Sequence, residues 1–297
     1  MPDNYGVINT GDGVVVVTDS AVGFQAQVVH QTAPADPRSP GRSGTADVGV
    51  LTVLGVELRA VVDALAGSLD YREHEAPGGL RFHRATTCGV RVVVLQSLHL
   101  GQRSTMVAFA QMREHWAPPV VALVGVAGAV HHSVDLGDVV VSDEVVYYDM
   151  RKETPDGALR RGQSLSAPPM IGRRLNAFFA RHDDPLQVAD RAGRVFQVRR
   201  GAIGSGEAVV SDPASDIRTY LGQFKHTLLA VETEAGGIAQ AVYEGLGQGT
   251  STGWLTVRGI SDRADGRDYA HHDIASRHAA DVLVRLLPFL TVEGAPG

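Results

Sequence analysis

Apolar and polar positions fall into two alternating patterns along the chain. Unbroken apolar runs occur at Asp47–Leu54 (DVGVLTVL), Val120–Val124, Leu228–Val231 and Trp254–Ile260. A strand covered on both faces shows such a run, so each predicts a buried strand of a parallel sheet. Between them, apolar residues recur at helical spacing. Leu58, Val61, Val62 and Leu65 predict a helix from Glu57 to Leu69, after a turn at Gly55. Gln102–Trp116 is amphipathic and stopped by Pro118-Pro119, and Ile171–His182 and Asp268–Leu290 read as further helices. The small residues of Ala235–Ala241 allow another. Asp212-Pro213 opens a short helix, with Asp212 as cap and Pro213 in the first position. Arg81–Thr87 and Arg91–Gln96 flank Cys88-Gly89 as a hairpin. Leu136–Tyr148 reads as a strand with a bend, and Gln197–Val210 as a strand pair around Gly201, Gly204 and Gly206. Gly125–Ala129 (GVAGA) reads as a glycine turn, and Arg151–Pro169 as a surface loop with its turn at Pro155-Asp156-Gly157. Strands alternate with helices throughout, which predicts an α/β fold on a central, twisted, largely parallel sheet.

Residues 1–45 break this pattern. Tyr5–His30 is rich in Gly, Val, Thr and Asp, and Gln31–Gly44 has the Pro/Ser/Ala/Gly composition of a linker. The expected organisation is a β-prone appendage over 1–45 and one large domain over 46–297. The appendage reads either as a floppy terminus or as an arm for oligomerisation or a protein partner.

Composition narrows the class. Of 297 residues 44% are hydrophobic and 20% charged, enough for a sizeable globular core. The net charge of -6 argues against non-specific nucleic-acid binding. Of 27 basic residues only Lys152 and Lys225 are lysines, a bias read as genomic rather than chemical. The single cysteine, Cys88, has no intrachain partner, and the N-terminus lacks the basic and apolar regions of a signal peptide. No apolar run reaches the length of a membrane span. A cytoplasmic location is expected.

Candidate chemistry concentrates at Leu228–Asp268. One apolar run there ends on Glu232 and Glu234, and a second ends on Ser261 and Asp262. Ligands of open α/β sheets bind at the C-terminal ends of strands. Carboxylates gathered at neighbouring strand ends are costly unless a substrate or a proton uses them. His131-His132 and His271-His272 with His278 show no metal-ligand spacing, and DRADGRD lacks the ligand pattern of a calcium loop. GVAGA lacks the spacing of a dinucleotide fingerprint, and Ser205 in GSGEA is no nucleophile elbow. No metal and no cofactor is expected.

VETEAGGIA followed by VRGISDRAD resembles the signature pair of the nucleoside phosphorylase and nucleosidase superfamily, with the likeness running from about Val48 to Leu290. The methylthioadenosine/S-adenosylhomocysteine nucleosidases are similar, and the nucleosidase-like domains of bacterial antiviral effectors more so. The resemblance implies a three-layer αβα fold with a mixed, largely parallel sheet, a homo-oligomer, and hydrolysis of a purine N-glycosidic bond. Such chemistry needs an acid for the departing base, stabilisation of a ribosyl cation, and a base for the incoming water, as in glycoside hydrolysis.

Roles follow by position. Asp262 matches the aspartate that protonates the purine at N7, oriented by Ser261; at neutral pH this requires a raised pKa. Taken alone, Asp262 reads as the cap of a turn. Glu234 matches the glutamate that holds the ribose hydroxyls, with Glu232 shaping the same site and Thr233 between them. The plain alternative for both acids is stabilisation of a helix N-terminus. Glu57, after the first strand, matches the water activator, where an ordinary first-turn glutamate is the alternative. SGEAVV (Ser205–Val210) resembles the stretch along the adenine, so the backbone of Val209 and Val210 meets the base edge, and Glu207 replaces the usual aspartate. Gly125 and Val126 stand at substrate-binding positions. Phosphorylases carry an arginine and a serine where this chain has Leu123 and Val126, which favours water over phosphate as acceptor. Val126 also replaces a polar residue usual in the methylthioadenosine enzymes, so the 5′ group stays open between a thioether and a phosphate. Arg59, Arg103, Arg151 and Arg267, with Tyr147, Tyr148 and Lys152, are candidates for a phosphate-binding rim. The other open readings are a phosphate-dependent phosphorylase and a nucleotide-sensing or partner-gated domain.

Overall fold

The computed structural model describes residues 43–245, 252–266 and 270–291. Nearly all of the expected N-terminal appendage, and Arg267 and Asp268, lie outside the described residues. Four strands form where the apolar runs predict them: β1 (Val48–Thr52), β5 (Val120–Ala129), β14 (Ala230–Glu232) and β15 (Gly253–Asp262). They are flanked by α1 (Gly55–Leu65), α2 (Gln102–Trp116), α3 (Pro169–His182), α5 (Ala235–Tyr243) and α6 (His272–Leu290). The expected hairpin is β3 (Leu80–Thr87) with β4 (Val90–Gln96).

Strand β5 organises the sheet. Its first half pairs in parallel with β1, its last residues pair antiparallel with β14, and along its other edge it pairs in parallel with β15. One strand thus parts into two neighbours, and a cleft opens in the fork. The strand order runs from β10 (Gln163–Ser166) through β7 (Glu144–Tyr147), β13 (Ile203–Ser205), β14, β5, β1, β4 and β3 to β2 (Arg72–Ala76), with β15 also pairing with β6 (Val139–Ser142), and β6 with β12 (Val195–Arg200). Parallel pairs dominate the centre, and antiparallel strands finish the edges. On one face α1, α3 and α6 bury Val61, Leu65, Phe178, Leu283 and Leu286 against the sheet. On the other, α2 and α5 bury Phe109, Met112 and Ile238. The architecture is three layers.

Several local expectations are corrected. Gly125–Ala129 is not a turn but the second half of β5. Its small residues leave room for the side chains that crowd the fork. Arg151–Pro169 is not a loop. It forms β8 (Arg151–Thr154) and β9 (Gly157–Arg160) around the expected turn, then β10 (Gln163–Ser166), which pairs with β7 (Glu144–Tyr147). These strands are short and mostly exposed, so no apolar run marks them. The polar edge strand β2 (Arg72–Ala76) and β11 (Leu186–Ala189) went unforeseen for the same reason. Leu136–Tyr148 divides at Asp143 into β6 (Val139–Ser142) and β7. Gln197–Val210 holds β12 (Val195–Arg200) and β13 (Ile203–Ser205), but Gly206–Val210 is irregular. The helix expected at Asp212 begins later, as α4 (Asp216–Phe224). Ser215 caps it by accepting from the Ile217 amide at 3.2 Å, while Asp212 closes a turn by accepting from the Ala214 amide at 2.9 Å.

The sheet approaches its helices closely at glycines. A Cβ on Gly259 would lie 2.0 Å from the Ala275 carbonyl oxygen of α6, and backbone cannot move aside as a side chain can. Gly259→Ala is expected to destabilise the fold by about 1–3 kcal/mol through overpacking. Denaturant unfolding checks this, and an unchanged midpoint would show that α6 is free to shift.

Candidate active site

The cleft in the fork has a volume of about 230 Å³. Each acid reaches it from the end of a core element. Glu57 enters in the first turn of α1, just after β1. Its Oε2 accepts from the amides of Val53 and Leu54, both at 2.8 Å, and its Oε1 from the Val126 amide at 2.9 Å. The side chain is 2% exposed. The bond to Leu54 is the ordinary reach of an early-helix glutamate back to its own N-terminus. The bond to Val126 is not: it ties α1 across to β5. Burial pushes the Glu57 carboxyl above the usual glutamate range, against the opposing pull of the Arg258 charge.

Glu232 ends β14, and Glu234 is the N-terminal flank of α5. Glu232 accepts from the amides of Glu234 and Ala235, both at 3.0 Å for Oε2, so it also serves as a helix-terminus acid. Glu234 Oε1 accepts from the Gly101 amide at 3.3 Å and from the Thr233 hydroxyl. Gly101 is in the left-handed region, with φ 94°, and its lack of a side chain lets α2 begin beside the acid. Between the two glutamates lies Arg258, from the middle of β15 and fully buried. Its Nη2 donates to Glu232 Oε2, and to Glu234 Oε2 at 3.0 Å. Burial pushes Glu232 up, Arg258 pulls it down, and the direction that prevails is up. A Cβ on Gly125 would strike Glu57 Oε1 at 2.3 Å and Arg258 Nη1 at 2.6 Å. Gly125 therefore makes room for both charges and contributes no side chain of its own.

Asp262 ends β15. Its Oδ2 accepts from the Ser261 hydroxyl at 2.9 Å, and its Oδ1 from the Ala264 amide at 2.8 Å. The turn-capping reading and the oriented-acid reading hold together. A Cβ on Gly128 would meet Asp262 Oδ1 at 2.7 Å. Glu57 thus sits beside Val126 and Asp262 beside Gly128, two residues apart on β5, a separation of about 7 Å along the strand.

The family model named Phosphorylase superfamily matches residues 47–288. The chain belongs to the phosphorylase superfamily. It is 27% identical over 241 residues to a 5′-methylthioadenosine/S-adenosylhomocysteine nucleosidase of Bacillus licheniformis, covering 80% of this chain and 97% of that one. A nucleosidase of the same name from Bacillus thuringiensis is 26% identical over 244 residues, covering 81% of this chain and 97% of the relative. Among solved structures, the S-adenosylhomocysteine nucleosidase of Streptococcus pyogenes aligns with a TM-score of 0.64 at 21% identity, over 84% of this chain and 98% of that one. Futalosine hydrolase of Helicobacter pylori aligns at 0.63 and 17% identity, over 81% and 97%. At such identities the structural likenesses show the fold alone.

Of the residues singled out in the sequence, Glu57, Val126, Val209, Val210, Glu232, Thr233, Glu234, Ser261 and Asp262 all line this one cleft. Three of the candidate rim arginines do not join them. Arg59 is exposed on α1, Arg103 approaches Glu207 at 3.9 Å, and Arg151 pairs with Glu153 at 2.5 Å on the β8–β9 hairpin. None of these three lines the cleft among the described residues. Tyr148 is not a rim residue. It is fully buried under the cleft and donates to the Ala208 carbonyl at 2.7 Å. Arg258 went unremarked in the sequence, yet an arginine inside the apolar run of Trp254–Ile260 was a usable signal. A buried cation requires buried acids, and VETE offers them.

Replacing Arg258 with Met leaves Glu232 and Glu234 buried without a counter-charge. The expected cost is about 3–5 kcal/mol at neutral pH. It should shrink as acid protonates the orphaned pair, whose stabilising charge contact with Arg258 exists only when they are ionised. Chemical unfolding of wild type and Arg258→Met at neutral and acid pH checks both points. A deficit independent of pH would mean the arginine acts only by filling space.

Proposed function

We propose that this chain hydrolyses the N-glycosidic bond of an adenine nucleoside with a 5′-thioether substituent, of the methylthioadenosine or S-adenosylhomocysteine type. The observation that carries it is the convergence of Glu57, Glu232, Glu234 and Asp262 on one cleft, with one fully buried arginine, Arg258, set among them in the described residues. Carboxylates outnumber the cation, so the site favours positive charge arising on whatever lies between them. A ribosyl oxocarbenium ion is such a charge.

Asp262 gives its proton to N7 as the C1′–N9 bond breaks, and the neutral base departs. Ser261 holds the aspartate, and the irregular backbone at Val209 and Val210 runs along the base. Glu234 accepts from the ribose hydroxyls. Glu57 takes a proton from water, which adds to C1′. The raised basicity of the buried Glu57 suits this step. At position 126 a backbone amide, not a side-chain hydroxyl, faces the acid. That supports water over phosphate as acceptor, because no serine or arginine side chain stands there to hold a phosphate.

The choice of 5′ group rests on the sugar end of the cleft. Val53 and Leu54 meet Glu57 there, Leu100 also lines the cleft, and among the described lining residues none is lysine or arginine. An apolar wall suits a thioether, whereas a phosphate dianion would pay its desolvation there without a partner.

Base release without added phosphate is expected from methylthioadenosine and S-adenosylhomocysteine, and at least about tenfold slower from AMP or ATP, as one desolvated charge demands. Asp262→Asn and Glu57→Gln should each lower it by about a hundredfold or more, with unfolding midpoints kept. Full activity in Asp262→Asn would sink the acid assignment, and faster release from AMP would reverse the 5′ reading. The pH profile tests Glu57 separately. Only its ionised form accepts a proton, and its pKa lies above the ordinary value, so kcat/KM should begin to fall at a higher pH than an ordinary glutamate, about 4.3, would allow. A rate that holds level down to that value would remove Glu57 as the base.

A further inference from the structure

Glu234 has fewer free acceptor sites than a ribose has hydroxyl donors. Each carboxylate oxygen accepts about two hydrogen bonds. Oε1 already takes the Gly101 amide at 3.3 Å and the Thr233 hydroxyl. Oε2 takes Arg258 Nη2 at 3.0 Å. One site remains, while a ribose brings two hydroxyl donors. Gly101 and Arg258 cannot step aside, being a helix-terminal backbone amide and a fully buried side chain held by a second acid. Thr233 can. It is half-buried, lines the cleft, and swings its hydroxyl by one χ1 rotation.

We propose that Thr233 sets the enzyme's discrimination at the ribose hydroxyls, by supplying Glu234 with a replaceable donor. The inference rests on the nucleosidase reading of the site. When a substrate carries both hydroxyls, one of them displaces the Thr233 hydroxyl from Oε1. When a substrate lacks one, Thr233 stays bonded and the buried carboxylate is never left short. A site that loses a hydroxyl without such a substitute rejects the analogue strongly, because an unpaired buried acceptor is costly. Thr233 removes that penalty, so 2′- or 3′-deoxynucleosides are tolerated.

The test compares adenosine, 2′-deoxyadenosine and 3′-deoxyadenosine in wild type, Thr233→Val and Thr233→Ser. Valine keeps the shape and deletes the donor, and serine restores it. The quantity read is each enzyme's ratio of kcat/KM for adenosine to kcat/KM for the deoxy analogue. Comparing ratios between enzymes cancels the different intrinsic lability of the two glycosidic bonds. For the analogue lacking the hydroxyl that meets Oε1, the preference for adenosine should grow about tenfold in Thr233→Val and return toward the wild-type value in Thr233→Ser. A purely structural role would lower all three substrates together, and ratios equal in wild type and Thr233→Val would overturn the proposal. Should wild type release no base from these three or from methylthioadenosine, the nucleosidase reading falls by itself. The same ratios taken from calorimetric affinities then decide the role of Thr233. Absence of binding by wild type to all three overturns the proposal for Thr233.

Discussion

The buried contact of Arg258 with Glu232 and Glu234 is the constraint on which the rest of the site depends. Three of its consequences run in different directions through the fold. It joins β15 to β14 and the start of α5, elements that share β5 as a neighbour but do not pair with each other. It makes two desolvated glutamates tolerable next to a third, Glu57. And it leaves the cluster, among the described residues, with more carboxyl groups than cations, an imbalance that a cationic transition state can use. Burial accordingly raises both Glu57 and Glu232, and the charges of the three acids keep the arginine protonated although burial opposes it. An ion cluster of this kind is a poor investment for stability alone, since apolar residues of the same volume often serve as well. Its presence points to chemistry.

The backbone accommodates the cluster through absence of side chains. Gly125 leaves space for Glu57 and Arg258, and Gly128 for Asp262, while Gly101, at positive φ, turns its amide onto Glu234. β5 carries two of these glycines while pairing with β1, β14 and β15, so the strand that forks the sheet also lets charged groups approach it. The irregular segment after β13 forms the remaining wall, where regular pairing would have consumed the backbone groups that face the cleft. Tyr148 pins that segment from beneath through the Ala208 carbonyl, and its ring lies against Gly206, where a Cβ would come within 2.2 Å.

Several residues serve fold and chemistry together. Glu57 completes the first turn of α1, Glu232 satisfies the amides that open α5, and Asp262 closes the turn after β15. Each is an ordinary terminal acid by local criteria. Their catalytic reading comes from the same geometry, because strand ends and helix starts present unsatisfied amides that hold a carboxylate in one orientation. Preorganisation here is a by-product of capping.

The sequence by itself determined the layered α/β class, the four central strands, the main helices and the acids at their ends. Those features write themselves locally, as unbroken apolar runs, helical spacing and turn residues. It also carried the superfamily signature, VETEAGGIA with VRGISDRAD. Only the tertiary structure decided that GVAGA is strand rather than turn, because pairing with β15 overrides what glycines favour alone. Only it showed that Arg151–Ser166 folds into short exposed strands, which bury too little to leave a periodic mark. It separated Arg59, Arg103 and Arg151 from the cleft, and it brought Arg258 and the Thr233 hydroxyl onto Glu234. Charge in a sequence says which residues need partners, but which partners they find depends on strand order and on the direction each side chain leaves its strand. Those are properties of the assembled sheet, distributed over residues from Glu57 to Asp262, and no local stretch contains them.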